Sequence, residues 1–255
     1  MGTILAIANQ KGGVGKTTTA VNLSACLAVA EQSTLLVDVD PQANATSGCG
    51  LDAKQVEKAN IYHLLLDDQV SEEVIRQTEI THLSLMPSHI NLTGAEVEMV
   101  TMMAREQKLS SVLEDLRDSY EYIIIDCPPS LGLLTINSLT AADAVLIPIQ
   151  CEYYALEGLG KLLNTVRLIQ RHLNPQLQIA GVLLTMYDSR LNLSRQVAAE
   201  VRSYFGKKVF RTAIARNVRL AEAPSHGQPV ILYDILSQGA QDYIGLAGEL
   251  LGNEE

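Results

Sequence analysis

Long hydrophobic runs are missing from this sequence. No segment of the 255 residues reaches 18 consecutive apolar residues, the length at which a membrane-spanning helix is suspected. The first residues lack the basic segment of a secretory signal peptide, and the apolar run that follows is too short for one. These absences predict a cytoplasmic protein without a membrane span.

Cysteine and histidine are too few and too scattered to suggest a metal centre. The cysteines have none of the short spacings that are typical of zinc or iron–sulfur ligation, and the histidines form no group. We expect the thiols to be reduced and to pack as small apolar side chains. The residues concerned are Cys26, Cys49, Cys127 and Cys151, with His63, His82, His89, His172 and His226.

Basic residues are scarce overall, but many of them fall in one segment. The net charge of −10 argues against a globally basic nucleic-acid-binding protein. Residues 190–219, however, contain eight basic side chains and one acidic one, which gives this segment +7 and leaves −17 on the remainder. After Arg219 there is no lysine or arginine. The segment is either a local anion-binding face or a solvated basic surface, and charge alone favours neither interpretation.

Residues 10–18 form the most informative stretch, Gln-Lys-Gly-Gly-Val-Gly-Lys-Thr-Thr. They lie between an apolar run at 3–8 and a helical pattern at 17–30, so the order is strand, glycine-rich turn, helix. This context is typical of a phosphate-binding loop, in which glycines let backbone N–H groups converge on an anion at a helix N-terminus. The alternative is a glycine-rich turn that binds nothing.

Two residues make the match to the general phosphate-loop pattern irregular. The pattern would place a glycine where the chain has Gln10, and Lys11 is a surplus lysine. The end of the stretch is regular, since Lys16 supplies a full positive charge and the Thr17 hydroxyl can bind a magnesium ion. We therefore predict a phosphate loop with one unexplained lysine.

Three aspartates follow predicted strands. Asp38 and Asp40 end the apolar run at 34–40, and Asp126 ends the run at 122–126. In a parallel sheet, ligands bind beyond the carboxyl ends of the strands, so these side chains should meet the phosphate loop in one crevice. Asp126 resembles the acidic residue that holds magnesium in phosphate-loop NTPases, and Asp40 could orient a water molecule. Each aspartate could instead cap the turn after its strand.

The remaining chain alternates apolar runs with helical patterns. This alternation predicts one α/β domain over residues 1–255, with a doubly wound, mostly parallel sheet and helices on both faces. The predicted strands are 3–8, 34–40, 82–86, 122–126, 144–149, 178–185 and 209–214. The predicted helices are 17–30, 61–66, 70–75, 92–120 with a break near Gln107, 133–142, 156–172, 193–205, 218–223 and 239–251.

Several of these stretches resemble the deviant Walker A ATPases of the ParA/MinD superfamily. Residues 11–18 are similar to the phosphate loop of that group, 38–46 to its first switch, and 126–130 to its Walker B and second switch. Residues 152–158 and 216–225 are similar to the narrower chromosomal ParA branch, called Soj. The resemblance covers essentially the whole chain and implies a P-loop NTPase fold.

The resemblance also implies a role for individual residues. Lys11 would reach the nucleotide of a partner subunit in an ATP-dependent homodimer, Lys16 would hold the phosphates, and Asp40 would position the hydrolytic water. The implied nucleotide-binding residues are Lys11, Gly12, Gly13, Val14, Gly15, Lys16, Thr17, Thr18 and Asn217, the last beside the adenine. The implied magnesium-binding residues are Thr17, Asp40 and Asp126.

The expected partners follow from the same resemblance. ATP-bound dimers of this family bind DNA without sequence preference, and Arg190 and Arg219 match positions of basic DNA-contact residues. Arg195 lies off the apolar stripe of its predicted helix and is therefore predicted to contact DNA as well. A ParB-like centromere-binding protein is expected to stimulate a slow ATP hydrolysis, on the nucleoid, during chromosome or plasmid partitioning. Relatives usually have proline where this chain has Ala215, which would leave the adenine loop less restrained.

Two other functions share this fold. A MinD-like membrane switch needs a C-terminal amphipathic helix with basic residues, and residues 238–255 contain none. A metabolic ligase or reductase would use the same loop for small-molecule chemistry, and its iron–sulfur form needs paired cysteines that the sequence lacks.

Overall fold

A computed structural model describes residues 1–67, 74–152 and 159–252. Its described strands form one eight-stranded sheet in the order β3-β4-β2-β5-β1-β6-β7-β8. Every neighbouring pair is parallel except β3 and β4, which are antiparallel. The strands are β1 Thr3–Ile7, β2 Thr34–Asp38, β3 Arg76–Gln77, β4 Leu83–Met86, β5 Tyr122–Asp126, β6 Ala144–Gln150, β7 Gln178–Tyr187 and β8 Val209–Ala215.

Twelve α-helices lie in the described residues, accompanied by short 3₁₀ turns. The helices are α1 Lys16–Val29, α2 Asn44–Gly48, α3 Ala53–Val56, α4 Ile61–Asp67, α5 Leu92–Glu98, α6 Lys108–Glu114, α7 Leu133–Ala141, α8 Leu159–His172, α9 Asn192–Phe205, α10 Val218–Glu222, α11 Val230–Tyr233 and α12 Gln238–Leu250. None of the helices in the described ranges combines the length and apolar composition needed to cross a bilayer.

Both faces of the sheet are covered by helices. Along β1, Ile4 and Ala6 belong to one buried apolar cluster, whereas Leu5 and Ile7 belong to another. Successive strand residues point to opposite faces, so a strand that is apolar at every position must be buried on both sides. Helices α4 to α9 contribute to the first cluster, and α1, α11 and α12 contribute to the second. This confirms the predicted doubly wound, mostly parallel sheet.

The described elements follow the sequence-based ones, except that one predicted helix is interrupted and four short elements were not predicted. The helix predicted over 92–120 is interrupted at 102–104, where Met102 is extended and Ala104 has a left-handed φ of 51°, and α6 ends at Glu114. The loop after β2, predicted to be polar, contains α2 and α3, and neither β3 nor α11 was predicted. Two predicted helices lie partly outside the described residues, at 70–73 and at 156–158. The stretch 152–158, which resembles the chromosomal ParA branch, is described only at residue 152.

The strand order brings the predicted site together. β5 is paired with β1 on one side and with β2 on the other. The phosphate loop follows β1, Asp40 follows β2, and Asp126 ends β5, so all three lie at the same carboxyl edge of the sheet. This adjacency was expected from the sequence, but only strand order could establish it.

Candidate functional site

The phosphate loop has the backbone geometry that its glycines permit. Gly13 and Gly15 have φ values of 72° and 85°, in the left-handed region that other residues adopt only with strain. Gly15 immediately precedes α1, so the loop ends at the N-terminus of a 14-residue helix. Unpaired N–H groups and the helix dipole make this position favourable for an anion.

Two side chains that the sequence did not suggest hold this loop against the sheet. Thr185 of β7 donates from its hydroxyl to the carbonyl of Val14 over 2.8 Å. The Asn9 side chain accepts from the Lys11 N–H at 3.0 Å and donates to the Pro148 carbonyl at 2.7 Å. The only signal for Asn9 in the sequence is a polar residue ending an apolar run, and Thr185 gives no local signal.

Lys16 points into the loop. Its ammonium group is almost fully buried and donates to the Lys11 carbonyl over 3.2 Å. Burial lowers the pKa of Lys16, and the negative charge of Asp126 opposes that change. A buried lysine with only a carbonyl and nearby carboxylates around it is suited to bind a further anion at the loop.

Lys11 differs from Lys16 in its surroundings. Its backbone is fixed by Asn9, but its half-buried side chain makes no hydrogen bond or ion pair with any residue that the structure describes. Its ammonium group is therefore available to a group outside this chain.

Asp126 is completely buried beside the loop. Neither of its carboxylate oxygens has a hydrogen-bond partner. Burial raises the pKa of Asp126 well above its usual value, and the neighbouring charge of Asp38 raises it further. The Thr17 hydroxyl is near enough to oppose this rise in pKa, although it makes no hydrogen bond of normal geometry. Two orphaned carboxylate oxygens beside a hydroxyl are a donor set that fits magnesium.

Asp38 and Asp40 are restrained by the first-switch segment. Asp38 accepts from the Thr46 N–H at 2.8 Å and from the Thr46 hydroxyl at 2.7 Å. Asp40 donates its N–H to Asp38 at 3.1 Å and accepts from the Gln42 N–H at 2.9 Å. Burial raises the pKa of Asp38 to about 6. Asp38 therefore organises this segment, whereas Asp40 has one oxygen without such a restraint and is close enough for its charge to act on Lys16.

A cavity of about 260 Å³ adjoins the phosphate loop. It is bordered by Gly15 and Thr18 on one side and by Asn217 on the other, so the structure brings this predicted residue to the loop. The remaining lining residues are Thr185, Met186, Ile214, Ala215, Arg216, Leu220, Ala221 and Tyr243. A mainly apolar wall with a few polar groups is suited to a planar heteroaromatic ring.

Two contacts from α12 hold this cavity wall. The N–H of Ala215 donates to the Asp242 carboxylate over 2.8 Å, a bond that proline at this position could not make. The hydroxyls of Tyr243 and Thr19 are 3.1 Å apart and hydrogen-bonded. The loop that was expected to be less restrained is thus tied to the last helix, and nothing in the local sequence predicts Asp242 as its partner.

The predicted DNA-binding arginines lie at the same carboxyl edge. Arg190 follows β7 and pairs with Asp188 at 2.7 Å, and this contact lowers the pKa of Asp188 to about 2. Arg219, in α10 after β8, pairs with Glu222 at 2.8 Å and with Asp234 at 3.2 Å. Arg195 is in the first turn of α9 and donates to Asn192. All three are exposed, but each already has a partner within the chain.

The basic segment is divided by the fold. α9 runs from the end of β7 toward the start of β8, and a helix of 14 residues spans about 21 Å. Lys207 and Lys208, directly before the start of β8, therefore lie at the amino edge of the sheet, away from the phosphate loop. The +7 stretch seen in the sequence is two groups of cations at opposite edges, and only one of them is near the site.

The four cysteines lie apart from the candidate nucleotide site or are buried within the core. All four are buried free thiols. Burial raises the pKa of Cys26, Cys49 and Cys127 to about 12 and that of Cys151 to about 11. Within the described ranges, no three His, Cys, Asp or Glu side chains are grouped around a metal-sized space. Magnesium does not need such a group, because phosphates and water supply most of its ligands.

Comparison with known proteins places this site in a family. A family model described as an AAA domain matches residues 2–179. The chain is 59% identical to the sporulation initiation inhibitor protein Soj of Bacillus subtilis, over 99% of this chain and 100% of that protein. It is 55% identical to the chromosome partitioning protein ParA of Myxococcus xanthus, over 98% of this chain and 88% of that protein. The chain belongs to the Soj/ParA family.

Solved structures with the same fold include a metabolic enzyme and a cell division ATPase. The cobyrinic acid a,c-diamide synthase of Mycobacterium smegmatis, solved with ADP and magnesium, superposes with a TM-score of 0.86 at 37% identity, covering 98% of this chain and 94% of that one. The cell division ATPase MinD of Pyrococcus furiosus superposes with a TM-score of 0.81 at 25% identity, over the whole length of both chains. The higher identity to partitioning proteins favours a partitioning ATPase over the membrane and metabolic alternatives.

Proposed function

We propose that this chain is an ATPase whose ATP-bound dimer binds DNA without sequence preference and partitions chromosomes or plasmids. The observation that supports it best is the contrast between two lysines in one loop. Lys16 is buried among the residues of its own site, whereas the Lys11 ammonium has no partner in the part of the chain described. A phosphate loop with a surplus available lysine is suited to complete a second subunit's site. The whole chain, residues 1–255, would act as a single ATPase domain.

The nucleotide would lie along the carboxyl edge. The backbone of residues 12–18 and the Lys16 ammonium would bind its phosphates, and its base would enter the cavity beside Asn217. Thr17 and Asp126 would hold magnesium, with Asp40 close by. When bound, magnesium neutralises charge that develops on the phosphates. Lys16 and the loop N–H groups stabilise the same charge, and Asp40 orients a water molecule for attack.

Dimerisation would bring Lys11 of each subunit to the nucleotide of the other. The Asn9 contact fixes the backbone from which this side chain projects. Because the phosphates are strongly negative, two such lysines would make closure depend on bound ATP. Hydrolysis weakens this attraction and would let the subunits separate.

Closure would also join two DNA-binding faces. The carboxyl-edge arginines of one subunit are few, and their pairs with Asp188, Glu222 and Asp234 must exchange for phosphates. Two subunits side by side double the number of phosphates bound. Since each neutralised phosphate releases counterions, binding should fall steeply with salt. A ParB-like partner would then trigger hydrolysis and release.

The proposal is tested by DNA retention on a filter or sensor surface. We expect retention with ATP and magnesium, little with ADP, and a large loss for Arg190→Ala combined with Arg219→Ala. Alanine is chosen because it removes the cation without placing a carboxylate beside Asp188. Equal retention with ATP and ADP, or in the wild type and the double variant, would contradict the proposal.

A further inference from the structure

Carboxylates from the last helix bind the backbone of the edge strand β8. Among the described strands, β8 has only β7 as a neighbour, so the N–H groups on its other side have no strand to bind. Near the start of β8, Glu249 accepts from the N–H groups of Arg211 and Thr212 at 2.7 and 3.1 Å. At its end, Asp242 accepts from the Ala215 N–H at 2.8 Å. Helix α12 therefore holds this strand at two separate places.

The two carboxylates lie on one face of α12. They are seven residues apart, which is close to two helical turns and about 10.5 Å along the axis. Asp242 also accepts from the Gln238 side chain, one turn earlier, at 2.7 Å. The next residue, Tyr243, is almost completely buried and is hydrogen-bonded to Thr19 of α1. The position of Asp242 is thus fixed by its own helix and by the packing of its neighbour.

The two contacts differ in what they hold. The two residues that Glu249 binds do not line the cavity beside the phosphate loop. Ala215, in contrast, is the last residue of β8, and all of residues 215–217 line that cavity. Asp242 therefore holds the chain where the strand becomes the cavity wall, although its own side chain does not line the cavity.

Asn217, at the end of this wall, keeps a polar group for a ligand. Its side-chain oxygen accepts from the Arg219 N–H at 2.8 Å, at the start of α10. Its side-chain nitrogen has no hydrogen-bond partner in the part of the chain that the structure describes. Since Asn217 is two residues from Ala215, the restraint on the Ala215 backbone also limits where this nitrogen lies. A donor in a mainly apolar wall can orient a heteroaromatic base.

Proline, which the family resemblance leads one to expect at position 215, would restrain this loop in another way. Its ring fixes φ without a hydrogen bond, and it has no N–H to donate. The ring carbon on the nitrogen would take the place of the hydrogen that now points at Asp242. Because that carboxylate oxygen is 2.8 Å from the nitrogen, the two cannot occupy this space together. A proline at 215 and a carboxylate at 242 are therefore alternatives.

We infer that Asp242 is a positioning residue for the nucleotide base and acts through its hydrogen bond to the Ala215 N–H. This role rests on the proposed function, which puts the base in the cavity beside Asn217. It adds a residue of the last helix, distant in sequence from the phosphate loop, that sets how firmly the base is held. Glu249 makes the same kind of bond without this consequence.

The direct test is Asp242→Ala, with binding measured by calorimetry in the presence of magnesium. We expect the dissociation constant for ATP to rise at least about fivefold, and that for inorganic tripolyphosphate to stay within about twofold of wild type. Tripolyphosphate reports on the phosphate loop without a base. Asp242→Asn keeps an oxygen that can accept from the Ala215 N–H, so it should restore ATP affinity to within about twofold of wild type.

Glu249→Ala is the matched control. It removes the other α12 carboxylate that accepts from the β8 backbone, two turns away from Asp242. We expect a lower unfolding temperature, because two backbone N–H groups lose their acceptor, but wild-type affinity for ATP. A merely structural role of Asp242 would make Asp242→Ala behave in the same way.

Proline at position 215 makes the test reciprocal. Ala215→Pro alone should also weaken ATP binding at least about fivefold, because its ring meets the Asp242 carboxylate. Combined with Asp242→Ala, the same proline has room and restrains the loop, so ATP affinity should return to within about threefold of wild type. Two independent structural defects would instead add to each other.

The outcomes separate this role from the proposed function. Wild-type ATP affinity in Asp242→Ala, an equal loss of ATP and tripolyphosphate binding, or a double variant weaker than both single ones would each reject the role of Asp242. The proposed function would survive all three. If the wild type binds tripolyphosphate as tightly as ATP, the base does not occupy the cavity, and its placement in the proposed function fails together with the role of Asp242.

Discussion

Asp38 and Asp126 are register partners on the neighbouring strands β2 and β5, and both side chains are completely buried. Their environments differ in one respect. Asp38 receives two hydrogen bonds from Thr46, whereas neither oxygen of Asp126 has a partner. Of two equally buried carboxylates, one is satisfied within the protein and the other is available to a cation. This asymmetry distinguishes a structural aspartate from the one that we propose binds magnesium.

The first prediction concerns Asp126→Asn. Without nucleotide, the variant should be at least as stable as the wild type, because an unsatisfied buried carboxylate costs free energy. With ATP at 100 times its dissociation constant, wild type should gain about 2.7 kcal/mol of stability. The variant should lose the magnesium-dependent part of that gain. Thermal unfolding with ATP, in magnesium and in EDTA, measures both effects.

The control for this experiment is Asp118→Asn, since Asp118 is an exposed aspartate far from the loop. It should keep the wild-type response to magnesium. A response in Asp126→Asn as large as that of the control would show that Asp126 does not bind the ion.

The second prediction concerns Lys11→Ala. Because the Lys11 side chain has no partner among the described residues, its removal should leave stability and monomer ATP binding nearly unchanged. ATP-dependent dimerisation and turnover should fall at least tenfold. Light scattering with ATP and steady-state phosphate release measure the two. Lys54→Ala, at an exposed position in α3, should behave like the wild type. Normal dimerisation of Lys11→Ala would assign this lysine to its own site or to none.

The third prediction concerns Asp40→Ala. ATP binding and the ATP-dependent dimer should persist, since Lys16 and Lys11 are intact. Hydrolysis should fall by about 10²-fold or more, the usual scale for removing a general-base or water-positioning group. Single-turnover hydrolysis compared with equilibrium nucleotide binding separates the two effects. Loss of nucleotide binding in this variant would instead make Asp40 a ligand-holding residue.

The fourth prediction distinguishes the two edges of the basic segment. Combined alanine substitution of Arg190, Arg195 and Arg219 should weaken DNA binding and reduce the slope of log K against log salt by about 0.9 for each phosphate that the variant no longer neutralises. The control variant removes two amino-edge cations, Lys207 and Lys208, and should keep the slope. If the amino-edge variant binds DNA more weakly than the carboxyl-edge variant, the DNA face lies at the other end of α9.

The fifth prediction concerns the thiols. At pH 8 a group with a pKa near 12 is deprotonated in only about one molecule in 10⁴, and thiolate is the reactive form. Since burial raises these pKa values, the reaction should become faster as the pH rises toward them. Native protein should therefore react slowly with a disulfide reagent at pH 8, and four thiols should react once it is denatured. Fast reaction of a thiol in the native state would indicate local opening around it.

Much of the fold was predictable because its signals are local. Uninterrupted apolar runs such as residues 122–126 predicted strands buried on both faces, and the structure has β5 at those residues. The interruption of 92–120 was also expected near Gln107. Its position at 102–104 depends on the left-handed Ala104, a conformation that no residue preference indicates.

The candidate site depends on both the local sequence and the tertiary structure. The sequence alone determined the phosphate loop, because glycine and lysine at fixed spacing between a strand and a helix constrain the backbone directly. It also determined that Asp126 ends a strand, whereas the strand predicted to reach Asp40 ends two residues earlier, at Asp38. Only the tertiary structure decided that β5 lies between β1 and β2, that Asp126 lacks a partner while Asp38 has two, and that Asp242 holds Ala215. These depend on contacts between distant residues, and burial and hydrogen-bond satisfaction are set by the packed chain, not by neighbours in sequence.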